Sequence, residues 1–287
     1  MTDNMNIQWY PGHMTKTRRQ IEADLKLVDA VCEIVDARIP VSSRNPDIDA
    51  ICGDKPRMIV LNRMDLADPA ATKKWAEYFR RKGMAVIATD CKSKKGISAF
   101  TPAARLACAE KLERDAKRGM NRPLRVMVVG IPNVGKSTLI NQISGRKSAK
   151  AENRPGVTRG KQWVTVDSGL QLLDTPGILW PKFEDPEVGM MLAYTGAVKE
   201  GVIDLEELAY RLMELLHKFY PQTLLERYKV EAPEGTPGWQ LLEMAGRKRG
   251  YLVSGGEVNT ERMAKVLLDE FRSGKSVSYT HLTLPTT

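Results

Sequence analysis

The sequence predicts an α/β domain built on a parallel sheet flanked by helices, followed by a small all-α C-terminal domain. Through the first two thirds of the chain, short apolar runs alternate with amphipathic segments, which is typical of such a sheet. From about Pro186 the apolar residues follow helical spacing instead. The predicted strands are residues 28–35, 57–61, 84–88, 124–129, 162–166 and 170–173.

Helix-start and helix-stop residues bound the helices of the first domain. Asp68 caps a helix that has proline in its first turn and that ends at Gly83. Residues 98–117 are predicted to form one long helix. A further helix, residues 136–143, follows a glycine-containing turn.

Capping residues likewise mark the second domain. Asp204 and Glu207 form a capping box before a leucine-rich helix, and Asn259 caps the last helix. The predicted organisation is a nucleotide-binding domain at 1–184 with an N-terminal segment 1–20, a helical domain at 185–275, and a disordered tail or cloning scar at 276–287.

Composition and charge limit the class of protein. The 287 residues are 42% hydrophobic and 28% charged, which fits a globular chain. The 44 Lys and Arg outnumber the 35 Asp and Glu, and the resulting charge of +9 fits either a polyanionic partner such as RNA or simple solubility. No apolar run reaches the roughly 18 residues of a membrane span. The four cysteines are scattered without metal-ligand spacing. We therefore expect a cytoplasmic monomer with no membrane partner.

The segment from Gly130 to Ser137 fits the phosphate-binding P-loop pattern. It lies between a predicted strand and a predicted helix, so its backbone amides and the helix N-terminus can face phosphate groups. Lys136 would neutralise the β and γ phosphates, and Ser137 would bind Mg²⁺. The expected nucleotide contacts of this segment are Asn133, Val134, Gly135, Lys136, Ser137 and Thr138.

A guanine-reading motif, Asn62-Arg63-Met64-Asp65, directly follows a predicted strand. The carboxylate of Asp65 can accept hydrogen bonds from guanine N1–H and the exocyclic amine, whereas adenine would leave it unpaired. Asn62 would hold the loop, and Arg63 stands where lysine is usual. Thr89, Asp90 and Cys91, after the next strand, are predicted to form the loop that backs the guanine.

A third phosphate motif, Asp174-Thr175-Pro176-Gly177, follows the last predicted strand. Asp174 would hold Mg²⁺ through water, and the Gly177 amide would contact the γ phosphate. Thr158 is the expected switch threonine that closes on Mg²⁺. Because the guanine motif precedes the P-loop in this chain, the set indicates a circularly permuted GTPase domain that binds GTP and GDP.

The residues that would promote hydrolysis are less conventional. Ile178 stands where many GTPases have a water-orienting glutamine, and isoleucine cannot orient water. His13 is one substitute, although from the residues alone a structural histidine that fixes the N-terminal turn is the favoured alternative. The Asn133 amide oxygen could hold a potassium ion beside the phosphates.

The chain resembles the circularly permuted ribosome-biogenesis GTPases, of the ribosome biogenesis GTPase A (YlqF) type. The resemblance spans about residues 6–275. It is carried by the Asn62–Asp65 motif, by the P-loop Gly130 to Ser137, and by Trp9 to Lys16, Asp36 to Pro40, Asn45-Pro46, Arg154 to Thr158 and Asp174 to Asp185. It implies a GTP-hydrolysing assembly factor for the large ribosomal subunit precursor, with a helical domain that contacts rRNA.

The resemblance also implies roles for individual residues. It implies a requirement for Mg²⁺ held by Ser137, Thr158 and Asp174, and stimulation by K⁺ through Asn133. It assigns His13 to hydrolysis, which reverses the preference drawn from the residues alone. The implied catalytic set is His13, Lys136, Thr158 and Gly177.

Other functions remain open from the sequence. The chain could be a GTPase of another RNA or translation step, or a nucleotide-gated RNA-binding protein with negligible catalysis. An ATP-using P-loop kinase is disfavoured by Asp65. The candidate RNA-phosphate contacts are Lys92, Lys94, Lys95, Lys117, Arg118, Arg122, Arg125, Arg247, Lys248 and Arg249.

Overall fold

The structure is a computed structural model, which describes residues 12–145, 162–167 and 169–275. The described residues fall into two compact units, 12–183 and 184–275. We refer to them as the GTPase unit, after the activity that the sequence predicts for it, and the helical unit. In the described part of the chain, no helix has the length and apolarity that crossing a membrane requires.

The GTPase unit is built on a six-stranded sheet with the order β3-β2-β1-β4-β6-β5. Its neighbouring strands are parallel except for β5, which pairs antiparallel with β6. All six predicted strands are confirmed, with ends displaced by no more than two residues. Their bounds are β1 Ala30–Asp36, β2 Arg57–Asn62, β3 Ala85–Thr89, β4 Leu124–Val129, β5 Gln162–Asp167 and β6 Leu170–Asp174.

The strand register aligns polar residues at the carboxyl edge of the sheet. Asp36 at the end of β1 lies opposite Asn62 at the end of β2, and Asn62 lies opposite Thr89 at the end of β3. On the other side of the centre, Asp174 of β6 lies opposite Val128 of β4. Because parallel strands end at one edge, motifs far apart in sequence meet there.

Helices cover the sheet. They are α1 Gly12–Asp24, α2 Asp47–Cys52, α3 Pro69–Arg81, α4 Phe100–Ala107, α5 Ala109–Lys117 and α6 Lys136–Ser144. Asp68 caps α3 as predicted, since its carboxylate accepts a 2.7 Å hydrogen bond from the Ala71 N–H. The apolar face of α3 buries Trp75 and Phe79 against strand residues such as Ile59.

The prediction of one long helix over residues 98–117 was wrong. The helix is interrupted at Cys108, whose N–H bonds to the Arg105 carbonyl at 3.1 Å, one residue short of the α-helical partner. The α4 segment buries Phe100 and Ala104, whereas α5 buries no residue. Since no apolar side chain of α5 anchors it in line with α4, the chain is free to turn after the buried Cys108.

The helical unit consists of α7 Pro186–Tyr194, α8 Leu205–Phe219, α9 Pro221–Tyr228, α10 Gly238–Lys248 and α11 Thr260–Ser273. Asp204 accepts hydrogen bonds from the Glu206 and Glu207 N–H groups, so this residue caps α8 as predicted. The Glu207 carboxylate accepts from Arg211 instead of returning to Asp204, so the predicted capping box is only half formed. Asn259 caps α11 through the Arg262 N–H at 2.9 Å. The buried α8 residues Leu208, Leu212 and Leu216 recur every four positions, which places them on one face of the helix.

Candidate nucleotide site

The P-loop backbone requires glycine at two positions. Gly130 has φ +154°, and a Cβ atom there would lie 2.5 Å from the Ile34 carbonyl oxygen. Gly135 has φ +104°, and a Cβ atom there would lie 2.4 Å from Asn62 Nδ2. The loop therefore packs directly against the ends of β1 and β2, and any side chain at these glycines would force it away from the sheet.

Asn62 joins the guanine motif to the P-loop. Its Nδ2 donates a 2.8 Å hydrogen bond to the Val134 carbonyl, which is 72 positions away in sequence. Its Oδ1 accepts hydrogen bonds from Thr89 Oγ1 and Cys91 Sγ, each at 3.1 Å. One buried side chain thus connects the predicted base-reading loop, the predicted guanine-backing loop and the phosphate loop.

The remaining guanine-site candidates lie around this link. Asp65 is exposed, in a short turn after β2, so its carboxylate is open to a ligand. Asp90 is buried, and it accepts a 2.8 Å hydrogen bond from the Lys92 N–H. Burial opposes the charge on Asp90, but hydrogen bonds from Ser93 and Lys92 outweigh it and lower the pKa of this carboxyl. Asp90 therefore serves to shape the turn after β3.

Arg63 makes a second bridge to the P-loop. Its guanidinium donates to the Asn133 carbonyl at 2.5 Å and to Asp36 at 3.3 Å. Asp36 also forms a buried ion pair with Arg38 at 2.8 Å. Sequence reasoning gave Asp36 and Arg38 no role at the site. The available signal was an Asp-Ala-Arg triplet directly after an apolar strand, where unpaired charge would be costly.

Lys136, at the start of α6, is buried beneath the P-loop. Its Nζ donates to the carbonyls of Gly130 at 3.1 Å and Ile131 at 2.8 Å. Burial lowers the pKa of Lys136 to about 8, although the nearby Asp174 carboxylate acts in the opposite direction. A lysine in this position gains from any anion that replaces those neutral carbonyls.

Asp174 and Ser137 form the candidate cation ligands. Ser137 Oγ donates to Asp174 Oδ2 at 3.2 Å, while the buried Oδ1 has no hydrogen-bond partner among the described residues. Burial raises the pKa of Asp174, against the influence of Lys136 and Ser137. In the described ranges, no three or more His, Cys, Asp or Glu side chains are grouped so that they could hold a metal ion. This donor set fits Mg²⁺, which typically takes few protein ligands and completes its shell with phosphate oxygens and water.

The Asp174–Gly177 loop packs against the P-loop. A Cβ atom on Gly177 would lie 2.7 Å from Pro132 Cα and 3.1 Å from Lys136 Nζ. Only glycine therefore fits between this loop and the phosphate cradle. The next residue, Ile178, donates its N–H to the Gly130 carbonyl at 3.2 Å, and its side chain is 1% exposed.

Two of the predicted site residues are not fully described, and two others lie in the P-loop and in the helix that follows it. His13 lies in the first turn of α1, but its side chain is outside the described part of the chain, as is the whole of Thr158. Val134 is buried in the P-loop and Thr138 is half-buried on α6. The roles of these residues stay predictions.

The chain is similar to several known proteins. Residues 125–222 match a family described as a 50S ribosome-binding GTPase. Ribosome biogenesis GTPase A of Priestia megaterium is 46% identical over 279 residues, which cover 96% of each chain. A solved GDP-bound structure of YlqF has a TM-score of 0.67 at 28% identity, with 93% of this chain and 99% of that chain covered. GNP-bound YlqF from T. maritima has a TM-score of 0.63 at 28% identity, with 92% and 97% covered.

The sheet order, the P-loop and the motif order define a circularly permuted P-loop GTPase, which binds GTP and GDP. The chain belongs to the ribosome biogenesis GTPase A family.

Proposed function

We propose that this chain is an assembly factor for the large ribosomal subunit, and that its GTP-bound form binds rRNA-rich particles. The observation that carries the proposal is the Asn62 link, which joins the predicted guanine-reading motif to the P-loop. The identity of 46% to a Ribosome biogenesis GTPase A and the match to a 50S ribosome-binding GTPase support the choice of particle.

In the proposed pocket, Asp65 reads the guanine edge while Asn62, Thr89 and Cys91 hold the loops that surround the base. The P-loop amides and Lys136 take the phosphates. Lys136 Nζ exchanges its two carbonyl partners for phosphate oxygens, so binding replaces neutral acceptors with charged ones.

Two cations fit the proposed chemistry. Ser137 and Asp174 would hold Mg²⁺, and Thr158 would complete the shell; bound Mg²⁺ neutralises charge on the β and γ phosphates. Asn133 would hold K⁺. Its backbone carbonyl already accepts from Arg63, so the potassium ligand from this residue would be the side-chain amide oxygen.

Hydrolysis needs a residue other than Ile178. That side chain is buried and apolar, so it can neither orient water nor carry a proton. We infer that His13 takes this role. His13→Ala is expected to lower turnover while sparing nucleotide affinity, measured by phosphate release and by titration with a non-hydrolysable GTP analogue. Equal losses in both measurements would show that His13 is structural.

The proposed switch uses Gly177. Its amide contacts the γ phosphate, and loss of that contact on hydrolysis releases the Asp174–Gly177 loop. The helical unit is proposed to take part in binding the particle. The test is the affinity of the protein for large ribosomal subunits with a GTP analogue and with GDP. We expect tighter binding with the analogue, and equal affinities would contradict the switch.

The buried Ile178 also favours a second candidate, a nucleotide-gated RNA-binding protein with negligible catalysis. Multiple-turnover phosphate release with and without large subunits separates the two. Strong stimulation by subunits supports the assembly GTPase, whereas a rate that stays near background with subunits present supports the alternative.

A further inference from the structure

The net positive charge of the chain lies in residues 1–183. Residues 1–183 contain 32 Lys and Arg against 19 Asp and Glu, a net charge of +13. Residues 184–275 contain 12 against 16, a net charge of −4, and residues 276–287 contain none. The net charge therefore favours contact between a polyanion and the GTPase unit.

Ion pairs within the protein reduce the number of basic residues that are available to a polyanion. Several candidate RNA contacts are already engaged: Arg122 pairs with Asp29, Arg247 with Glu243 and Arg249 with Glu270. Lys92, Lys94 and Lys95 are exposed and form no ion pair with any other residue that the structure describes. We call residues 92–95 the lysine turn.

The backbone holds the lysine turn in place. The Asp90 N–H donates to the Lys95 carbonyl at 3.0 Å, and the Asp90 carboxylate accepts from the Lys92 N–H at 2.8 Å. Gly96 follows with φ +78°, and a Cβ atom there would lie 2.1 Å from the Ala88 carbonyl oxygen. The three ammonium groups are therefore carried by a constrained segment, and none of their side chains is needed to close it.

The lysine turn also lies next to the nucleotide pocket. Cys91, the residue before it, hydrogen-bonds to Asn62, which in turn bonds to the P-loop carbonyl of Val134. A polyanion at the turn would consequently sit beside the guanine end of the site.

We infer that the lysine turn of the GTPase unit is an RNA-backbone contact surface. The inference rests on the proposed function, from which the RNA-rich particle follows. Three compact ammonium charges within four residues suit successive phosphate groups and carry no base specificity. Each contact releases counterions, so the surface predicts a steep dependence of affinity on salt.

The test compares two triple variants with the same change in charge. The first is Lys92→Gln/Lys94→Gln/Lys95→Gln. The matched control neutralises three exposed lysines of the helical unit that are not among the candidate RNA contacts, Lys199→Gln/Lys218→Gln/Lys275→Gln. Affinity for intact large ribosomal subunits and for their protein-free RNA is measured with a GTP analogue over about 50 to 300 mM salt. Nucleotide affinity of both variants checks that the pocket is intact.

We expect the lysine-turn variant to bind both probes at least about tenfold more weakly, with the slope of log affinity against log salt reduced by about 2. The control should match the wild type. Equal behaviour of the lysine-turn variant and the wild type, while the wild type binds subunits, overturns this inference and leaves the proposed function standing. Loss on intact subunits alone points to an acidic protein and overturns the RNA assignment. A wild type that binds neither probe overturns both.

Discussion

The two compact units bury charged groups in opposite ways. In the GTPase unit, burial lowers the pKa of Lys136 to about 8 and raises the pKa of Asp174, so both charged forms are disfavoured. In the helical unit, burial also acts against Glu270, but hydrogen bonds from Arg227 and Arg249 lower its pKa to about 2. A buried charge that the protein itself does not compensate points to an external partner, whereas a fully paired one is structural.

Glu33 is a buried carboxylate of the GTPase unit whose raised pKa does not mark a ligand site. Burial raises its pKa even though Arg44 and Arg57 both pair with it. Yet Glu33 lies within β1, between two buried neighbours of the same strand, and not in a loop at the sheet edge. The direction of a pKa shift therefore identifies a functional site only together with an open loop such as the P-loop.

The largest expected effect comes from removing the uncompensated charge of the GTPase unit. Lys136→Ala should weaken GTP binding by about 10³-fold, because two or more charge-assisted contacts to phosphate are lost. Isothermal titration with GTP measures it, and Lys199→Ala on the helical unit serves as the control. A loss below about tenfold would remove Lys136 from the phosphate site.

Asp65→Asn should have the next largest effect. Loss of the two hydrogen bonds to guanine is expected to weaken GTP by about 10²-fold, and the amide should favour xanthosine triphosphate. Asp65 is exposed, so the melting temperature should stay unchanged. Competition between the two nucleotides gives the answer, and an unaltered preference for GTP would contradict the role.

A smaller effect is expected from a change in pH, which should alter the affinity for GTP. Without nucleotide, Lys136 loses its proton as the pH rises through about 8, whereas bound phosphates hold the proton on. GTP binding must then take up a proton, so affinity should be flat below pH 8 and fall by up to about tenfold per pH unit above it. Titration in buffers of different ionisation enthalpy detects the proton uptake. Affinity that is independent of pH between about 7 and 9.5 would show that Lys136 stays charged in the free protein.

The matching change in the helical unit should leave nucleotide affinity untouched. Glu270→Gln removes the acceptor charge for Arg227 and Arg249 and should destabilise this unit by about 2 kcal/mol near neutral pH. The depressed pKa contributes stability above the unfolded value of 4.5, and this is lost as the pH falls toward about 2.

Urea denaturation at pH 7 and at acidic pH measures this difference between Glu270→Gln and the wild type. The gap should close on acidification. If Glu270→Gln changed GTP affinity by more than about twofold, Glu270 would not be a purely structural residue, and the contrast between the two units would be wrong.

Much of the fold was predictable because its signals are local. The strands are apolar runs, and the caps Asp68, Asp204 and Asn259 satisfy backbone N–H groups within three residues. The break at Cys108 was missed, since it reflects the burial of side chains on α4 and not on α5, and burial depends on how distant segments pack. No property of residues 98–117 alone carries that information.

For the site, residue identities were predictable and contacts were not. The P-loop and the Asn62–Asp65 motif could be placed on loops after strands. The bridge from Arg63 to the Asn133 carbonyl, and its anchor on Asp36, could not be predicted. Such contacts depend on the lateral order of strands, which motif spacing does not encode.

By itself, the sequence determined all six strands, most helices, the expected nucleotide chemistry and the permuted order of the motifs. These signals are local, because hydrophobic periodicity, capping residues and loop residues act over a few positions. Tertiary structure alone decided that Asp36, Asn62 and Thr89 stand in one row, that Asn62 ties the phosphate loop to the base-reading loop, and which lysines are left unpaired. These outcomes depend on the register of neighbouring strands and on long-range ion pairing, and both arise only when distant segments pack.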